Sequence, residues 1–158
     1  MIMSLEEFVR LLHVAGATVL IGTGAGIAFF MVMAVRTRDP HLIAHVSGTV
    51  VVTDFLFTAT AVIAQPLTGI WLASLVGWPL ATGWIEAALW LYVLVGMCWL
   101  PVVFIQVRLR NLAREAASNG SALPPTFDRL YRVWFILGWP AFAGVLAILW
   151  LMTARPDF

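Results

Sequence analysis

Residues 11–35, LLHVAGATVLIGTGAGIAFFMVMAV, run between Arg10 and Arg36 with only His13, Thr18 and Thr23 interrupting an apolar sequence. A membrane-crossing helix needs ~20 predominantly apolar residues, so this stretch predicts a span. The residues ahead of it, MIMSLEEFVR, carry Glu6 and Glu7 where a secretory signal would carry basic residues, and the helix is expected to stay in place uncleaved. Working outward, the same pattern recurs. RTRDPH makes a short polar link, with Asp39-Pro40 a helix-start signal. VGWPLATGW reads as a tight turn at a membrane surface, and ASNGSALPPTFD is the most polar stretch and makes a loop. These breaks predict helices over approximately 5–36, 42–75, 84–114 and 127–154. Kinks are expected at Pro66, Pro101 and Pro140.

The composition agrees with that reading. Of 158 residues, 62% are hydrophobic and 11% charged, whereas about a quarter of a soluble domain is charged. The expected fold is all-α: a polytopic membrane protein, a four-transmembrane-helix bundle with kinked helices, formed as a single transmembrane domain over 1–158. A net charge of +1 offers no electrostatic footprint for nucleic acid. The single cysteine, Cys98, leaves no internal disulfide and no CxxC pair for zinc or redox work. The lipid bilayer is the expected partner.

Seven of the nine basic residues, Arg36, Arg38, Arg108, Arg110, Arg114, Arg129 and Arg132, fall in or beside the first and third links. By the positive-inside bias those links are cytoplasmic and both termini are not. Trp71, Trp78, Trp84 and Trp150 would then lie near the opposite interface, where amphipathic rings settle.

Ionisable groups inside a bilayer carry an insertion penalty of a few kcal/mol, which makes each a functional candidate. His13 lies about 12 Å into the first helix, with Gly16, Ala17 and Gly24 on or beside its face. Small neighbours make room for a flat cofactor, so His13 is a candidate metal or haem ligand. The competing reading is a hydrogen-bonded structural histidine. Gly22 and Gly26 form a GxxxG pair, which points to helix packing and makes a homodimer or a membrane-complex partner thinkable. His45 is more than ~15 Å from His13 in depth, so one haem cannot use both, and a haem at His13 would need a non-histidine sixth ligand or none. His41 and His45 share a helical face and would suit either a surface metal or plain solvation.

On the second helix Asp54, Thr58, Ala61, Gln65 and Thr68 recur at intervals of four, three, four and three, a polar stripe about 21 Å long. It reads as a proton or ion path, or as a polar wall beside a cofactor. For Asp54 the favoured reading is an ion pair with one of the cytoplasmic-face charges Arg108, Arg110 and Arg132. Pro66 frees a backbone carbonyl one turn back, which must find a partner within the bundle. Trp99 shares a face with Val103, Gln106 and Arg110, and the fourth helix carries Trp134, Trp139 and Trp150; these aromatics read as packing or equally as a haem or quinone lining. Met97 and Cys98 are weaker candidates as soft ligands.

LLHVAGATVLIGTGAGIAFF, DFLFTATAVIAQPLTGIWL, WLPVVFIQVRLR and LYRVWFILGWPAFAGVLAILWLM together resemble an uncharacterised bacterial family of predicted integral membrane proteins. That resemblance covers nearly the whole chain and implies four helices in the bacterial inner membrane. More remotely, LHxxGAxxxxG around His13 looks like the first helix of two larger groups. One is the small membrane protoporphyrinogen oxidases, which implies haem b at His13, although their lysine-containing motif has no counterpart here. The other is the copper-resistance membrane proteins, for which Met1 and Met3 are the soft donors at the N-terminus. The leading expectation is a redox or haem-handling protein. The alternatives are a proton, ion or small-solute pathway along the Asp54/Gln65 stripe, and a non-catalytic accessory or assembly subunit. No catalytic residue is identified.

Overall fold

In a computed structural model, which describes residues 3–157, the chain is entirely helical between its links. Helix α1 spans Leu5–Arg36, α2 Pro40–Thr53, α3 Ala59–Val76, α4 Gly83–Ser118 and α5 Pro125–Ala154. A π-turn at Asp54–Thr58 joins α2 to α3 without a break. The chain therefore makes four helices long and apolar enough to cross a membrane, the second being Pro40–Val76.

Local chemistry sets the ends. Ser4 and Glu7 close a reciprocal capping box on α1, the Glu7 amide donating to Ser4 Oγ at 3.2 Å and the Ser4 amide to Glu7 Oε2 at 2.8 Å. Asp39 caps α2 by accepting from the His41 amide at 2.9 Å, with Pro40 in the first turn. Gly77, at φ 80°, turns the chain out of α3 in a left-handed conformation that a side chain would resist. Arg38 takes a similar conformation, at φ 58°, and its guanidinium reaches Asp128 at 2.6 Å, tying the first link to the start of α5. That carboxylate holds the Arg38 pKa above its usual value.

The bundle is packed unequally along its length. On the arginine-rich side Met31, Ile43, Leu109, Ala113 and Phe127 are wholly buried, joining all four spans in one core. Toward the termini the helices separate into two pairs. There α3 packs closely on α1, α4 packs on α5 around Trp84, Ile85, Ala88 and Leu151, and α1 touches α5 only sparsely. Large apolar side chains on the periphery, Phe104 and Trp90 among them, have no protein neighbour to cover them. In a bilayer that surface faces lipid tails and costs nothing to leave uncovered.

Candidate functional site: an intramembrane cavity

Where the two helix pairs part, they leave a half-open cavity of about 340 Å³ lined from α1, the π-turn, α3, α4 and α5. Its wall is apolar and aromatic except at one level, where Asp54 and Gln106 meet. Both are buried, at 3% and 2% exposure. With the Gln106 amide oriented to satisfy its neighbours, its nitrogen donates to Asp54 Oδ2 at 3.2 Å and its oxygen accepts from Trp134 Nε1 at 3.2 Å. Thr58 and Trp99 line the same cavity as the Asp54 carboxyl. Thr58 Oγ1 lies 3.2 Å from Thr23 Oγ1 on α1.

The π-turn is the device that builds this level. A bond from the Ala59 amide back to the Asp54 carbonyl, five residues away, widens the helix where an α-helix would have kept Asp54 in line with the stripe. Asp54 faces Gln106 on α4; Thr58 lines the same cavity and also reaches Thr23 on α1, while Gln65 and Thr68 face α1. Gln65 Nε2 donates to the His13 carbonyl at 2.8 Å, and Thr68 Oγ1 lies 2.9 Å from His13 Nδ1. Three of the four polar residues of the stripe are thus bonded to α1, and Asp54 alone belongs to α4.

That α1–α3 contact depends on two glycines. A methyl group on Gly16 would collide with the Gln65 amide nitrogen, and one on Gly69 would come within 3.0 Å of His13 Cε1. His13 is therefore a half-buried, hydrogen-bonded histidine at a helix contact, outside the cavity lining. The residues expected together as a cofactor site fall into two places: His13 and Gly16 at the α1–α3 contact, Gly24 and Trp99 on the cavity wall, with Ala17 half-buried on α1 between them. Among the described residues a Cβ added at Gly22 or Gly26 would meet nothing within 4 Å, so no close helix approach requires glycine at either position.

The expected ion pair at Asp54 is absent among the described residues, whose salt bridges are Arg10 to Glu6 and Arg38 to Asp128. Gln106 occupies the position facing the carboxyl. Arg108 and Arg132 are exposed, and Arg110 turns to Asn111 Oδ1 at 3.1 Å. No group of three or more His, Cys, Asp or Glu gathers as a metal site among the described residues. His41 and His45 are exposed, as are Met97 and Met3, while Cys98 is half-buried. Met1 lies outside the described residues.

Pro66 removes the amide that would have bonded the Val62 carbonyl, and the Tyr92 hydroxyl of α4 donates to that carbonyl instead. This bond links the two helix pairs across the open half. Nothing in the sequence singles out Tyr92 as a site residue, whereas Trp134 belongs to the aromatic set that suits a lining. The one legible signal for Gln106 was an amide in the otherwise apolar run WLPVVFIQ.

No curated protein and no solved structure matches the chain. The four apolar spans, the uncovered apolar periphery and a family model that matches residues 7–156 agree, and the chain belongs to the predicted integral membrane protein family DUF2269.

Proposed function

We propose that this protein binds a small, largely apolar molecule in the intramembrane cavity and holds the polar end of that molecule at Asp54 and Gln106. The supporting observation is the composition of the wall: an apolar and aromatic lining with one buried polar cluster is the usual make-up of a small-molecule site, and 340 Å³ falls within the ~300–1,000 Å³ of such pockets. The sparse α1–α5 seam would admit a ligand from the lipid phase. In this reading the membrane is a bacterial cytoplasmic membrane, with the arginine-rich links inside and both termini outside.

Glycines on the wall provide the test. A Cβ at Gly96 or Gly138 would meet nothing within 4 Å, so leucine there would fill the cavity while leaving the packing alone. Small molecules extracted from purified wild type and from Gly96→Leu and Gly138→Leu are compared by mass spectrometry. A species retained by wild type and lost from both variants is the expected result. Identical extracts would refute the reading.

A second reading has its own support. The Thr68 hydroxyl engages His13 Nδ1 and leaves Nε2 as the ligating nitrogen, the arrangement by which an outer partner orients a metal-binding histidine. His13 would then hold haem b, in a redox or haem-handling role. Protein purified from haem-replete cells would show a Soret band that His13→Ala loses; a featureless wild-type spectrum would exclude it.

A further inference from the structure

We infer that the ligand of the cavity is a lipophilic cation, with Asp54 as its counter-ion. This rests on the cavity being a binding site, as proposed above, and goes further in naming the charge of what it takes.

The first ground is the isolation of Asp54. A buried charge is costly unless an opposite charge accompanies it, and removing one partner of a buried pair costs several kcal/mol. The hydrogen-bond partner of this carboxyl is the Gln106 amide, and Thr58 and Trp99 on the same lining are also uncharged. The salt bridges among the described residues involve other carboxylates, and no Arg or His lines the cavity. The counter-charge that the chain withholds is the one a ligand would bring.

The second ground is the remainder of the wall. Tyr92, Trp99, Trp134, Phe135, Trp139 and Phe142 line the same cavity as the carboxyl. Aromatic faces carry negative potential and attract a cation within ~6 Å, more strongly where water is excluded. An anion would find the opposite, a carboxyl and ring faces with no positive group. A neutral apolar molecule would fit the rings and leave the carboxyl without a counter-charge. A cation with an apolar body uses both features and supplies the charge that the wall lacks.

Tetraphenylphosphonium is a suitable probe, with triphenylmethane as an uncharged body of related shape. Binding is read from quenching of tryptophan fluorescence in detergent, with Gly138→Leu giving the baseline for partition into micelles. Wild type is expected to bind the cation at least about tenfold more tightly than the neutral compound. Asp54→Asn is expected to lose that preference, and Asp54→Glu to keep it. Gel filtration of each variant confirms a folded protein, and the Glu variant separates loss of charge from loss of structure. If Asp54→Asn binds the cation as tightly as wild type while Gly138→Leu abolishes binding, the cation assignment is wrong and the cavity reading stands. If Gly138→Leu binds like wild type, the cavity reading fails and the cation assignment with it.

Discussion

The two halves of this molecule solve different problems with the same four helices. On the arginine-rich side every span contributes to one closed core, with Met31, Ile43, Leu109 and Phe127 at zero exposure. On the side of the termini the helices stand as two pairs, joined across the gap by the Tyr92 to Val62 bond. Between apolar helices in lipid there is no hydrophobic drive to close such a gap, because lipid tails are as apolar as leucine. Stability is therefore concentrated in one half, and the other half is free to keep a cavity.

That division is breakable in graded ways. The largest effect is expected from Phe127→Ala in the closed half, which leaves a hole where packing is complete and should cost about 3 kcal/mol in a denaturation series in mixed micelles. Next comes Gly69→Val, which drives side-chain atoms into the His13 ring, parting α1 from α3; about 2 kcal/mol and faster amide exchange along α3 are expected. Tyr92→Phe leaves the Val62 carbonyl without its partner for about 1 kcal/mol, and should raise exchange in α3 while leaving α2 unchanged. Arg38→Ala removes an exposed ion pair and should change stability by less than about 1 kcal/mol. Smallest of all is Gly138→Leu, expected to leave the midpoint unmoved within about 0.5 kcal/mol while emptying the site. Equal losses from Phe127→Ala and Gly138→Leu would erase the distinction between the halves.

The four spans were legible because a bilayer imposes a length and an apolarity that a sequence must display. Partnership between helices was not. The freed Val62 carbonyl announced its need through Pro66, yet nothing in a single helix names Tyr92, thirty residues on, as the donor. The polar stripe follows α-helical spacing, and Gln65 and Thr68 do share a face, the one bonded to α1. Asp54 left that face because a π-turn intervenes, and the run DFLFT carries no glycine or proline to mark it. His13 was legible as a residue of consequence, but the sequence could not tell a helix contact from a ligand.

The π-turn also has a bearing on chain length. A span containing an i to i+5 bond holds one residue more than an α-helix following the same path. Deleting a single residue between Phe55 and Phe57 would let every backbone bond through the span close in ordinary α fashion. The flanks would keep their faces, whereas forcing the undeleted turn into α geometry would rotate all that precedes by ~100° relative to all that follows. Asp54 would then swing back toward α1, and Gln106 would lose the carboxyl it holds. The extra residue is thus a register shim: one position of added length keeps two helix faces aimed at two different neighbours.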